Sequence, residues 1–114
     1  MVTLEQIRQI VGRLPDTEEG TSWGSPSFKV NKKAILYWNV QLDCPVFKVS
    51  FEERDFLLEV DPDCFFTTDH HRPWPLIIGR PEKLDIDWVR ENIERVWRAQ
   101  ALKTTLKRFD SVKQ

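Results

Sequence analysis

Residues Thr21–Val30 read TSWGSPSFKV and carry a single charge, with Trp23, Gly24 and Pro26 spaced ahead of an apolar strand start. They follow the acidic run LPDTEEG at positions 14–20, and by composition residues 16–26 form a loop that leads into a sheet. Gly24 permits a backbone angle closed to most residues, while Pro26 fixes the approach and biases Ser25 toward an extended form. Trp23 is then expected to fold over the core from outside, its N–H bonded to backbone, as Phe28 enters the core, and Trp74, which also flanks a loop, is expected to cap the core in the same way.

Upstream of this loop, Thr3-Leu4-Glu5-Gln6 has the form of a capping box. Leu4, Ile7, Ile10, Val11 and Leu14 then recur at helical spacing, which predicts a first helix ended by Pro15. Downstream, SFKV, AILYW and VFKVSF predict three strands. Asn31-Lys32-Lys33 forms the turn between the first two, Asn being comfortable at positive φ. Alternation in the third strand puts Lys48 on the face opposite Phe47, Val49 and Phe51. Ser50-Phe51-Glu52-Glu53 begins a short second helix with Phe56, Leu57 and Val60 on one stripe, stopped by Asp61-Pro62. CFFTT and WPLIIG bracket Asp69–Pro73 and predict a second hairpin with the tip DHHRP, Pro75 marking a late start or an edge. Asp85 or Asp87 caps a last helix whose stripe of Val89, Ile93, Val96 and Trp97 continues less regularly through Leu102 and Leu106. The tail from Asp110 to Gln114 is expected to fray.

The predicted order is helix, three strands, helix, two strands, helix. It describes an α+β fold, a small antiparallel sheet with two hairpin wings and helices packed on one side, in a single domain spanning 1–114. The 114 residues contain no apolar run near the length that spans a bilayer and no signal-peptide layout, so a cytoplasmic protein is expected. Cys44 and Cys64 then read as reduced, semi-buried thiols. The net charge of -1 is unevenly spread: Arg95–Lys113 holds six Lys or Arg against Asp110, while Asp61–Asp87 holds six acids against Arg72, Arg80 and Lys83.

Candidate chemistry is sparse. His70 and His71 are adjacent, so on a strand they point to opposite faces, and no partner spacing completes a metal site. Asp61-Pro62-Asp63 lacks the Gly and terminal Glu of a calcium loop. The 4 glycines form no phosphate-cradling loop, and Ser22, Ser25 and Cys44 have no patterned base. Neither catalysis nor a cofactor or metal is expected.

Binding is the better-supported class. Lys32 and Lys33 crown one predicted hairpin and His71 and Arg72 the other, with Lys29 and Lys48 on strands nearby. Such wings lay cations against phosphates, and the basic C-terminal helix extends the surface. At this net charge any nucleic-acid affinity should be weak and salt-sensitive. The alternative is a small-molecule or peptide cleft rimmed by Trp23, Phe28, Lys48 and Trp74.

Nearly the whole chain resembles the MmcQ/YjbR family. The most specific element lies in Glu19–Val30, where an acidic residue precedes Trp-Gly-x-Pro-x-Phe-x-Val at Trp23, Gly24, Pro26, Phe28 and Val30. Lys48, Phe65-Phe66, Trp74 after the His-bearing turn, and Trp97 with Lys103 support it. Asn31-Lys32-Lys33 stands where members usually carry a Gly-Lys turn, and AILYW alters the start of the second strand. The resemblance implies a double-wing fold whose members are commonly labelled DNA-binding. In the DNA-binding reading drawn from the hairpin tips, Lys29, Lys32, Lys33, Lys48 and Arg72 contact the phosphates of double-stranded DNA, with His71 and Trp74 shaping the second wing; a monomer with no membrane partner is expected.

Overall fold

The computed structural model describes residues 1–113, and side chains through Ser111. Among these residues, helix α1 (Leu4–Gly12) precedes strands β1 (Thr17–Ser22), β2 (Ser25–Val30), β3 (Lys33–Asn39) and β4 (Cys44–Lys48). Helix α2 (Phe51–Val60), strands β5 (Phe65–Phe66) and β6 (Leu76–Gly79), and helices α3 (Ile86–Gln100) and α4 (Lys103–Lys113) follow. The six strands form one antiparallel sheet in the order β1-β2-β3-β4-β6-β5, so the fold is α+β as expected. No helix is long and apolar enough to cross a membrane among the described residues.

Thr3 caps α1 through the full reciprocal capping box, Ser50 caps α2, and Asp85 caps α3. Each hydroxyl or carboxylate takes up a backbone N–H left without an intrahelical acceptor. The apolar stripes of α1 (Ile7, Val11) and α3 (Val89, Ile93, Trp97) pack on one sheet face, against Phe28, Val30, Leu36, Trp38, Phe47, Phe65 and Ile77. Trp97 is fully buried; its indole N–H donates to the Pro15 carbonyl at 3.0 Å, and its ring meets Phe109 of α4 edge-on.

The predicted loop at 16–26 is instead a hairpin. β1 pairs with β2 from Thr17↔Val30 to Ser22↔Ser25, leaving Trp23 and Gly24 as its two turn residues. Both have positive φ, 52° and 80°, the geometry a two-residue turn needs to follow strand twist. The sequence TEEGTS hid this strand because β1 is an edge, exposed along most of its length, with no buried alternation to read. Asn31 and Lys32 repeat the device between β2 and β3, at φ 51° and 65°. A bulge opposite Phe28 and Lys29 then places both Ile35 and Leu36 in the core.

Three further expectations are corrected. On α2 only Leu57 is buried, and Phe56 and Val60 face solvent because the helix packs on the core through Leu57 and the half-buried Leu58. The last helix stops at an extended Ala101, so Leu106 belongs to a separate helix that turns back along α3. Asp110–Lys113 continue α4, and Asp110 is held by Arg98 at 3.0 Å; Gln114 lies outside the described residues.

Opposite the helices, register lines up Tyr37, Val46, Ile78 and Phe66 across four strands, with Cys44 and Leu76 beside them. The connection from β5 to β6 folds over this smaller apolar cluster through His71.

Candidate functional site

The β5–β6 connection is a braced structure. His71 is 4% exposed; its Nε2 lies 2.7 Å from the Tyr37 hydroxyl and its Nδ1 2.6 Å from the Thr68 hydroxyl. With both ring nitrogens occupied it serves as an internal anchor, which removes it from the residues expected to touch a phosphate. Burial, and then the neighbouring His70, hold its pKa below the ordinary histidine value, while burial raises that of Tyr37. From α2, Arg54 donates to the carbonyls of Arg72 at 2.6 Å and Trp74 at 3.4 Å. Val49 donates to the Pro75 carbonyl. The predicted second wing therefore lies strapped against the sheet, and its exposed Arg72 is paired with Asp69 at 2.7 Å.

The β2–β3 turn reaches the same end of the sheet. There Gln100, the last residue of α3, gathers three segments. Its carbonyl accepts from Asn31, its side-chain amide donates to the carbonyls of Lys33 and Ala34, and its Oε1 accepts from Lys48 Nζ at 2.9 Å. Asn92, one face of α3 further back, donates to the Lys48 carbonyl. Lys48 thus turns toward α3. Desolvation, and then the charge of Lys33, depress its pKa, so two ammonium groups stand close enough to repel each other.

α4 begins three residues after Gln100, and so starts close in sequence to the residue that bonds the β2–β3 turn through Asn31. Asp16 holds α4 in place by accepting from Thr105 at 2.5 Å and Arg108 at 2.8 Å. Between α1 and α4 runs a groove of about 700 Å³ lined by Arg13, Pro15, Lys107, Arg108, Phe109 and Ser111. Lys29 sits one step inside the sheet, half-buried, with Glu18 as its register partner on β1.

The residues of the alternative cleft do not converge. Phe28 is 2% exposed within the core. Trp23 is 103% exposed at the β1–β2 tip, so it caps nothing. That tip adjoins the β3–β4 turn, where the Val40 N–H donates to Ser25. Trp74, 58% exposed and so no cap on the core either, lies at the other end with Lys48, near the pairing of Lys48 with Leu76. The other described groove runs along α3, between Arg90, Glu94 and Arg98, and touches none of these four residues.

No group of three or more His, Cys, Asp or Glu is placed to hold a metal among the described residues. His70 and His71 rings stand perpendicular, 5.2 Å apart. Both cysteines are free and buried; burial, with Asp61 nearby, pushes the Cys64 thiol up to about 11, far from the thiolate a nucleophile needs. Sequence reasoning missed Gln100 and Arg54, whose work is to bond backbone carbonyls distant in the chain. It also missed Arg13, which the fold alone brings to Arg108.

The family model described as YjbR matches residues 12–99. Relatives include the "Uncharacterized protein Rv2570" of Mycobacterium tuberculosis strain H37Rv and the "Uncharacterized protein Mb2600" of Mycobacterium bovis. Each is 27% identical over 124 residues, an alignment covering 96% of both chains. No solved structure matches.

Proposed function

We propose that this chain, which belongs to the YjbR family, binds duplex DNA by its backbone phosphates and does so without catalysis. The supporting observation is the gathering of cations at one end of the sheet. Lys32 on the β2–β3 turn, Lys33 opening β3, Lys48, and Lys103 opening α4 continue into the groove of Arg13, Lys107 and Arg108. Seven cations with Asp16 among them, in a chain of net charge -1, leave the remaining surface markedly acidic. A field so polarised orients a polyanion toward one end despite the neutral total. Arg72 stands at the margin of this surface, and Lys29 beneath it.

The composition of the surface differs from two equal basic wings: the first wing and α4 supply the charge, and the second supplies a rigid flank. Phosphate contacts of this kind carry no sequence information, so binding should be general across sequences.

The test is duplex binding by fluorescence anisotropy at about 50 mM and about 200 mM salt. Affinity should fall steeply between the two, and Lys32→Ala with Lys33→Ala should lower the slope of log K against log salt by about two. Absence of binding at the lower salt overturns the reading.

A further inference from the structure

We propose that Trp74 is a stacking platform for an unpaired base, so that the preferred partner is DNA with exposed bases next to duplex. The inference rests on the DNA-binding reading and adds the recognition element that phosphate contacts lack.

An indole left 58% exposed forfeits the burial that normally justifies a tryptophan, and here it is held in that position. Pro73 and Pro75 flank it, fixing φ on both sides. The Trp74 N–H donates to the His71 carbonyl at 3.0 Å, and its own carbonyl accepts from Leu76 at 2.8 Å. Arg54 bonds the carbonyls on either side of Pro73, and His71 pins the loop to Tyr37 and Thr68. Most of the ordering entropy of a contact here has been spent in folding, the condition under which an exposed ring binds well.

The surroundings select the ligand. Lys48, at the edge of the cationic surface, is the register partner of Leu76, two residues on from Trp74. The nearby acids are engaged already, Asp69 by Arg72 at 2.7 Å and Asp55 by Arg54 at 3.0 Å. A flat aromatic face beside cations suits a base stacked on the ring with its phosphates on the lysines, the arrangement used for single strands. Inside intact duplex the base faces are covered, so the platform is used only where pairing is interrupted or ends.

The probes are a short blunt duplex and the same duplex with a single-stranded tail, titrated at one salt concentration with wild type, Trp74→Ala, Trp74→Phe and Trp23→Ala. Wild type and Trp23→Ala should favour the tailed duplex roughly tenfold. Trp74→Ala should lose that preference while keeping blunt-duplex affinity and its salt dependence, and Trp74→Phe should recover part of it. Equal binding of both probes by wild type, or a preference that survives Trp74→Ala, overturns the stacking role and leaves the phosphate surface standing. Failure to bind either probe overturns both.

Discussion

Two exposed tryptophans occupy opposite ends of one sheet and are supported in opposite ways. Trp23 is presented by a two-residue turn of left-handed backbone and stands 103% exposed. Trp74 is presented by a nine-residue connection bonded to α2, to β3 and to Val49 just past β4. The charge differs as well. Trp74 lies at the end of the sheet where Lys48, the register partner of Leu76, bonds Gln100, whereas the Trp23 end holds Asp43, which accepts from the Trp38 indole, and no member of that cluster. Exposure alone therefore does not identify a contact residue; the bracing behind it and the charge beside it separate the two.

The strongest way to break this contrast is to remove the brace. His71→Ala should leave the Tyr37 and Thr68 hydroxyls without their partner and open a cavity over Val46 and Ile78, at a cost of about 2 to 3 kcal/mol in chemical denaturation. The same residue gives wild type a pH signature. Its pKa is depressed in the folded state, so the unfolded chain binds the proton more readily. Stability should be full above about pH 6.5 and decline as pH falls from there toward the folded-state value. That slope should be reduced in His71→Ala. A pH profile indistinguishable between the two proteins would show that His71 is not the anchor.

A smaller effect should come from the turn on the cationic side. Lys32 adopts φ 65°, a left-handed conformation that costs a residue bearing a Cβ on the order of 1 kcal/mol. Lys32→Gly should therefore raise the melting temperature by a few degrees while weakening DNA binding and lowering its salt dependence. Stability and binding moving in opposite directions would mark Lys32 as kept for its charge; a fall in both would mean that its side chain packs, contrary to its exposure.

Sequence patterning revealed the regular parts of the molecule and obscured its special ones. The capped helices and the buried strands were legible because Thr3, Ser50 and Asp85 mark the starts and core residues recur at the right period. β1 was hidden because an edge strand buries neither face, and α2 was misread because Phe56 and Val60 follow helical spacing yet point to solvent. The lysines of the candidate surface could be found at their turn and strands. Their convergence could not, since it depends on Gln100 meeting Asn31, Lys33 and Lys48 across 52 to 69 residues of chain. His71 was assigned to a tip because nothing in DHHRP distinguishes an anchored imidazole from a solvated one; the distinguishing partner is Tyr37, 34 residues earlier.

The smallest expected effect belongs to Trp23, and it tests the contrast from the other side. Were this indole a cap on the core, replacing it would cost several kcal/mol. At 103% exposure it has no packing to lose, and it occupies the first position of a turn whose positive φ favours asparagine. Trp23→Asn should thus leave the unfolding free energy within about 0.5 kcal/mol of wild type, with any change toward greater stability. Its DNA affinity and salt dependence should also match wild type, because the tip lies at the far end of the sheet from Lys32, Lys48 and Trp74. Unchanged stability with lost DNA binding would extend the contact surface to both ends, and the bracing of Trp74 would then no longer explain which tryptophan is used.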